Sequence, residues 1–307
     1  MSGGGPDLPV SPAVDGDGRD TGPGARSRDG HGPIRVEHRD GVGILTIDRP
    51  ERFNSMDVET ARDFRRAGLQ LARDADVRCV VVRGTRGVFC SGADLKYVRE
   101  AGSAHDFGYL HPDGSGPARG YGQSFKEILE YIHSTISEIK RAPKPFVAAV
   151  DGVAAAGGLG IAMACDLVFA SERSTFEWAY FKTGLTGAES STFFLPRLVG
   201  LRRALGLALL GPRVRAYRAL ELGLVNDVFP DETFDEEVGE VVERLARGPT
   251  SAYAVAKSLL HAAAEADRLD FHLDRELEEL ARIADGPDFA EGLEAFFDRR
   301  EPRFGGA

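Results

Sequence analysis

Cysteine and histidine are scarce in this chain, and neither is arranged as a disulfide framework or a metal site. The 307 residues include 3 cysteines, Cys79, Cys90 and Cys165, each inside an apolar segment and none in a C-x-x-C pair. None of the 7 histidines has the spacing of a metal-ligand motif. We therefore expect reduced core cysteines, no metal site and a cytoplasmic protein, because thiols stay reduced in that compartment.

Long apolar runs and an excess of positive charge are also missing. No uninterrupted apolar run reaches membrane-spanning length, and the N-terminus lacks the apolar core of a signal peptide. The formal net charge is −10, which argues against nucleic acid or an anionic membrane as the main partner. A chain of this length is ample to bury a hydrophobic core.

Three regions follow one another along the chain. Residues 1–33 are rich in Gly, Pro, Asp and Arg and predict a disordered tail, with a partner-binding arm as the alternative. Residues 34–200 have globular patterning and contain the glycine-rich segments. Residues 201–307 are dominated by helical periodicity.

The rest of the chain is organised around one stretch, Ala148 to Asp166, with the sequence AAVDGVAAAGGLGIAMACD. Its apolar run predicts a buried strand ending at Val150, a turn, and a helix that opens at Gly157. Backbone N–H groups at a helix start have no intrahelical acceptor, so they polarise a carbonyl oxygen placed there. The alternative is that the glycines only relieve crowding.

A second segment, Val80 to Leu95, has the same design: a buried strand runs through Gly84 and Gly87 to the sequence SGAD. Two glycine-punctuated strand ends could hold one oxygen from two sides. The pair FCSGADL and AAVDGVAAAGGLGIAMACDLVFAS resembles the crotonase superfamily, also called the enoyl-CoA hydratase/isomerase family. Further matches at 45–56, 194–200, 218–230 and 291–304 extend the resemblance over residues 34–304. It implies an α/β fold, a spiral of ββα repeats with a C-terminal helical trimerisation region.

Other elements are predicted from patterning alone. The alternation of residues 34–50 indicates a hairpin turning at Asp40-Gly41, and Asp57 is the expected N-cap of a helix through Arg73. Helices are predicted over 124–140, 201–210, 214–225, 235–247, 251–266 and 269–284, and a strand over 167–171. Residues 96–122 lack clear periodicity and are a candidate lid or acyl-pocket wall. Four of them could reach an acyl group: His105, Tyr109, His111 and Asp113.

The resemblance assigns the backbone N–H groups of Ala93 and Gly157 to an oxyanion hole around a thioester carbonyl. It implies coenzyme A as part of the substrate and no prosthetic group. It also places basic residues near the coenzyme A phosphates and adenine, namely Arg49, Arg52, Lys96, Arg299 and Arg300. The alternative for each basic residue is a surface salt bridge.

The acid and base depart from the family pattern. Hydratases of the family use two glutamates, and the matching positions here hold Gly160 and Tyr180. Glu189 remains nearby, close to where isomerase-type members carry a single carboxylate. In an apolar pocket its pKa would be raised, which suits a base that takes a proton and returns it elsewhere. Alternatively, Glu189 is a carboxylate answering the dipole of the helix that follows.

Smaller roles are expected for the neighbouring polar residues. Tyr180 could donate a hydrogen bond, and Ser190 and Ser191 could orient water or a substrate carboxylate. Asp94 and Asp166 are interpreted as structural.

The leading hypothesis is an enoyl-CoA hydratase/isomerase-type enzyme that stabilises a thioester enolate, isomerase-like with the single carboxylate of Glu189. The alternatives are a decarboxylase or hydrolase of a functionalised acyl-CoA, and a non-catalytic acyl-CoA-binding scaffold. Apolar stripes such as Leu201, Leu205 and Leu209 need a partner, and the resemblance implies a homotrimer or homohexamer. No nucleic acid or membrane partner is expected.

Overall fold

The computed structural model describes residues 32–100, 121–264 and 269–305. Nearly all of the predicted tail and most of the 96–122 loop lie outside these ranges, including His105, Tyr109, His111 and Asp113. The described residues from Pro33 onward belong to one compact unit. A division of that unit between residues 200 and 201 stays a prediction.

Strands and helices alternate in the order that the resemblance implies. The strands are β1 Ile34–Arg39, β2 Val42–Ile47, β3 Cys79–Gly84, β4 Val88–Cys90, β5 Phe146–Val150, β6 Val153–Ala155, β7 Leu167–Ser171, β8 Thr175–Glu177, β9 Val214–Arg215 and β10 Asp227–Phe229. The helices are α1 Val58–Arg73, α2 Leu95–Arg99, α3 Tyr121–Arg141, α4 Gly157–Ala164, α5 Ser191–Val199, α6 Leu201–Leu210, α7 Ala216–Leu222, α8 Phe234–Arg247, α9 Thr250–Ala263, α10 Leu269–Ala284 and α11 Pro287–Asp298.

The larger sheet has the strand order β1-β2-β3-β5-β7-β10. β1 and β2 form the predicted antiparallel hairpin, and the other strand pairs are parallel. Parallel strands are covered on both faces, and all five residues of β5 are buried. One face joins the core cluster that includes Phe64 of α1 and Ile132 of α3. The other packs on α8 through Phe234 and Val238.

The smaller sheet has the order β4-β6-β8-β9, with β4, β6 and β8 parallel. Each of these three strands follows a strand of the larger sheet after a tight turn, so the chain winds as a spiral of ββα repeats. Gly152 makes one such turn with φ +85°, and a Cβ there would lie 1.7 Å from the Gly87 carbonyl oxygen. Only glycine fits that position. The predicted fold class is confirmed.

Helix α9 attaches at the end of the larger sheet where the parallel strands β5 and β7 begin. Lys257 of α9 donates to Asp166 Oδ2 at 2.8 Å and to the carbonyls of Ile139 and Lys144 at 2.7 and 3.2 Å. Asp166 also accepts the backbone N–H of Phe146 at 2.9 Å. Asp166 therefore joins α9 to the sheet, as its structural interpretation predicted.

The boundaries of the predicted helices lie within about three residues of the observed ones. Asp57 caps α1 by accepting the N–H of Thr60 at 2.8 Å, and α10 has the predicted bounds. The helix predicted over 214–225 is shorter, because Val214–Arg215 pairs with β8 as β9. Sequence patterns did not predict β4, β6, β8 or β10, since three-residue strands carry too little periodicity to be recognised. It also missed α11.

Candidate active site

The smaller sheet brings three loop segments to one edge. Its register pairs Cys90 with Ala154 and Ala155 with Glu177, so β4, β6 and β8 end side by side. The residues that follow these strands are therefore neighbours in space although they are far apart in sequence. This edge carries Ala93, Gly157 and Tyr180, three of the predicted site residues.

The direction of the Ala93 N–H is fixed by a strand-like bridge to Met56. Met56 N–H donates to Gly92 O at 2.8 Å, and Asp94 N–H donates to Met56 O at 2.8 Å. A trans peptide is planar, so a Gly92 carbonyl that faces Met56 turns the Ala93 N–H of the same peptide the opposite way. Within residues 32–100, 121–264 and 269–305, this N–H has no acceptor.

The Gly157 N–H begins α4, where no carbonyl of the preceding turn can accept it. Ala156 before it has φ 46°, a conformation uncommon for a residue with a side chain, and its N–H is anchored on Glu177 O at 3.0 Å. A Cβ at Gly92 would lie 2.9 Å from Gly157 N, so the two loops are in contact. The Gly157 N–H also finds no acceptor among the described residues.

The predicted carboxylate, Glu189, lies against this pair of loops. A Cβ on Gly157 would be 2.7 Å from Glu189 Oε1, so the carboxylate fills the space where that side chain would be. Glu189 is 5% exposed. Burial raises its pKa from an ordinary carboxyl value to about 7, while a hydrogen bond from Tyr180 opposes the rise. A carboxyl group with such a pKa can both take and return a proton near neutral pH.

Gly160 explains why helix α4 carries no carboxylate of its own. A Cβ at Gly160 would lie 2.3 Å from the Glu189 carbonyl oxygen and 2.8 Å from Glu189 Cβ. The backbone of Glu189 thus occupies the place of any side chain at position 160. The carboxylate comes instead from Glu189, in the loop before α5.

Tyr180 holds the second oxygen of this carboxylate. Its hydroxyl donates to Glu189 Oε2 at 2.7 Å, and the carbonyl of Ala188 is a second acceptor at 3.0 Å. Burial and the neighbouring carboxylate raise the pKa of the Tyr180 phenol, so it remains protonated. Ser191, which is fully buried, donates to Ala188 O at 2.5 Å and reaches the Tyr180 hydroxyl at 3.3 Å.

Trp178 has a packing role that the sequence did not predict. The ring of Trp178 meets that of Tyr180 edge-on, with centroids 5.2 Å apart, and a Cβ at Gly187 would lie 2.5 Å from the indole. Trp178 therefore packs between Tyr180 and the loop that carries Glu189. Its position two residues before Tyr180, as the single tryptophan of the chain, was the available signal. Ser190, which was expected to orient water or a substrate carboxylate, donates to the carbonyl of Glu189 at 2.6 Å.

The basic residues predicted to bind coenzyme A have different surroundings. Arg49 and Arg52 are both paired with Asp94, at 2.8 and 2.5 Å, so their guanidinium groups already have anionic partners. Lys96 is exposed at the start of α2. Arg299 ends α11 in the left-handed conformation, with φ 55°, and the adjacent Arg300 pairs with Glu291 at 2.6 Å. Coenzyme A binding by these residues stays a prediction.

The comparisons with known proteins agree with this architecture. A family model described as enoyl-CoA hydratase/isomerase matches residues 37–115 and 118–307. The 1,2-epoxyphenylacetyl-CoA isomerase of Escherichia coli (strain K12) is 34% identical over 87% of this chain and 95% of its own length. The 4-chlorobenzoyl coenzyme A dehalogenase-2 of Arthrobacter sp is 33% identical over 88% of this chain and 92% of its own length. An enoyl-CoA hydratase structure from Bacillus anthracis covers 90% of this chain and 100% of its own, with 27% identity and a TM-score of 0.78.

The spiral of ββα repeats, with three loop segments at one sheet edge, defines a crotonase-type enzyme. The chain belongs to the enoyl-CoA hydratase/isomerase family, as its motifs predicted. Members of this family act on coenzyme A thioesters. In the part of the chain that the structure describes, no helix combines the length and apolarity needed to cross a bilayer.

Proposed function

We propose that this enzyme isomerises an unsaturated acyl-CoA. The N–H groups of Ala93 and Gly157 bind the thioester oxygen, and Glu189 is the single acid/base. The observation that carries the proposal is the buried Glu189 carboxylate beside Gly157, with a pKa of about 7. Each oxyanion donor of this kind is worth about 2.7–4 kcal/mol of barrier.

The reaction needs one base that acts at two carbons. Glu189 takes a proton from the α-carbon of a β,γ-unsaturated thioester, and the electron pair moves into a dienolate whose oxygen faces the two N–H groups. The protonated Glu189 then returns the proton to the γ-carbon, which leaves an α,β-unsaturated product with no change in mass. Hydration would also require a second group to activate water. With glycine at position 160 and tyrosine at 180, isomerisation is favoured.

A panel of acyl-CoA substrates tests this proposal by mass spectrometry. Isomerisation gives no mass change in ordinary water and incorporates deuterium in D2O. Addition of water, loss of CO2 or release of free coenzyme A would each overturn the proposal in favour of a hydratase, a decarboxylase or a hydrolase. Coenzyme A binding without turnover across the panel would favour a non-catalytic scaffold. The relatives that act on aromatic thioesters, judged by their names, make phenylacyl substrates the first to include.

Tyr180→Phe should move the pH dependence of the reaction. The Tyr180 hydroxyl donates to Glu189 and lowers its pKa, so loss of that donor raises the pKa of Glu189 above about 7. Because the base must be ionised, the rising limb of the pH–rate profile should shift upward by about one pH unit. Initial rates across the pH range measure the shift.

Tyr217→Phe is the matched control, since the Tyr217 hydroxyl bonds Glu172 on the surface. Its profile should coincide with that of the wild type. An unmoved limb in Tyr180→Phe would contradict the assignment of that limb to Glu189.

We also propose that the chain assembles as a trimer or a pair of trimers. On α6, Leu201, Leu205 and Leu209 are 67%, 49% and 66% exposed, and on α11, Phe296 and Phe297 are 77% and 75% exposed. Apolar surface of this extent is typical of an interface. Light scattering should give three or six times the 33.1 kDa of one chain. Leu205→Glu should lower that mass, and a monomeric wild type would refute the proposal.

A further inference from the structure

A cluster of charged side chains surrounds Asp94, the residue that follows Ala93. We name it the Asp94 cluster, and it consists of Arg49, Arg52, Asp57 and Asp94. Arg49 Nη1 donates to Asp94 Oδ2 at 2.8 Å, and its Nη2 lies 2.6 Å from Asp57 Oδ2. Arg52 grips Asp94 with two nitrogens, Nε at 3.0 Å and Nη2 at 2.5 Å. A bidentate pair of this kind fixes the orientation of the carboxylate as well as its distance from the guanidinium.

Asp94 itself is almost fully enclosed and fully bonded. Its side chain is 3% exposed, and Oδ1 also accepts the N–H groups of Lys96 and Tyr97 at 3.0 and 3.1 Å. Burial alone would raise the pKa of Asp94, but the arginines and the Tyr97 N–H hold it below its ordinary value. The carboxylate therefore stays ionised and cannot rotate without losing several charge-assisted hydrogen bonds.

Arg49 connects both sides of the bridge that aims the Ala93 N–H. Its Nη1 donates to Ser55 O at 3.0 Å as well as to Asp94. Ser55 precedes Met56 and Asp94 follows Ala93, and Met56 and Ala93 are the two bridge residues. One guanidinium thus clamps the two short segments whose backbone hydrogen bonds set the Gly92–Ala93 peptide plane.

We infer that Asp94, clamped by Arg49 and Arg52, is a positioning residue that fixes the direction of the Ala93 N–H toward the substrate oxygen. The inference rests on the proposed function, in which that N–H stabilises the enolate. It also gives Arg52 a role other than binding coenzyme A phosphate, since its guanidinium is committed to Asp94. A donor that rotates away from the oxyanion stabilises the transition state less, while the ground-state thioester, which carries less charge, is affected little.

Asp94→Asn tests the inference, because asparagine keeps the shape and the cap on α2 but removes the charge that holds both arginines. We expect kcat to fall about 10- to 100-fold while KM changes less than about 3-fold. Asp151→Asn is the matched control, because Asp151 is held by Arg173 in the same bidentate way, through Nε at 2.7 Å and Nη2 at 2.5 Å, but lies outside the Asp94 cluster and does not adjoin an oxyanion donor. Its kcat should stay within about 3-fold of the wild type.

A spectroscopic readout separates positioning from general destabilisation. A coenzyme A thioester of a donor-substituted cinnamic acid absorbs at longer wavelength when its carbonyl is polarised, so its bound spectrum reports the oxyanion donors. The red shift should shrink in Asp94→Asn and persist in Asp151→Asn at saturating probe. Arg52→Gln leaves Asp94 in place but breaks its bidentate pair with Arg52. It should reduce the red shift in the same way. This variant replaces Asp94→Asn in the test if Asp94→Asn does not fold.

The outcomes distinguish the two proposals. A lower kcat and a smaller red shift in Asp94→Asn, both absent in Asp151→Asn, support the positioning role. Equal behaviour of the two variants, or a loss confined to KM, overturns it while the proposed function stands. A wild type that neither turns over acyl-CoA nor shifts the probe spectrum would remove the oxyanion role itself, which is a failure of the proposed function.

Discussion

Replacing Glu189 by glutamine should lower kcat near pH 8 by about 10²- to 10⁴-fold, the contribution typical of a general acid/base. Glutamine fills the same buried space beside Gly157 and can still accept the Tyr180 hydrogen bond. It cannot take a proton from carbon. Deuterium incorporation into the acyl group, followed by mass spectrometry in D2O, should be lost together with product formation.

Binding of the thioester probe should survive in Glu189→Gln, because the two backbone N–H groups are untouched. Glu243→Gln is a useful control, since Glu243 is a carboxylate that pairs with Arg247 on the exposed surface of α8. It should exchange deuterium like the wild type. Undiminished exchange in Glu189→Gln would remove Glu189 from the acid/base role.

The same substitution should change how stability depends on pH. Burial raises the pKa of Glu189 to about 7, so the folded state is favoured while the carboxyl is protonated. That stability is fully present below the ordinary carboxyl pKa of about 4.3 and is lost as pH rises through about 7. Glutamine does not ionise, so Tm of the variant relative to the wild type should be higher at pH 8 than at pH 5.

Gly157→Ala should reduce kcat by about 10²-fold, because a small misplacement of a catalytic group has effects of that size. The added Cβ would lie 2.7 Å from Glu189 Cδ and Oε1 and 3.1 Å from Oε2. The carboxylate must then move, although Tyr180 holds its other oxygen. Helix α4 itself tolerates alanine, so the loss should be in activity and not in folding. Steady-state kinetics and a thermal melt measure the two effects separately.

Gly239→Ala is the matched control for this substitution. Gly239 lies within α8, and a Cβ there would meet nothing within 4 Å. Activity should be unchanged, and stability should rise by about 0.5–1 kcal/mol as for other helical glycines. In a Glu189→Ala background, Gly157→Ala should add little further loss, because the group it displaces is gone. Additive losses would contradict displacement of Glu189 as the cause.

Some elements of the fold were predictable from sequence patterns, and others were not. The Asp40-Gly41 hairpin, the Asp57 cap and the start of α4 at Gly157 were predictable because each depends on a few adjacent residues. The strands β4, β6 and β8 were not, since their pairing partners lie far away in sequence and each strand is only three residues long. Their register nevertheless decides which loops become neighbours.

The candidate site was likewise predictable only in part. Glycine spacing and the family motifs pointed to Ala93, Gly157 and Glu189, because backbone donors and a lone carboxylate leave a local signature. The contact of Gly160 with the Glu189 backbone is visible only in the folded chain. The same holds for the pairing of Arg49 and Arg52 with Asp94. The sequence by itself determined the spiral fold and the family and made Glu189 the candidate carboxylate, since these follow from local motifs. The tertiary structure decided the pKa of that carboxylate and the partners of the arginines, because burial and ion pairing depend on residues brought together from distant parts of the chain.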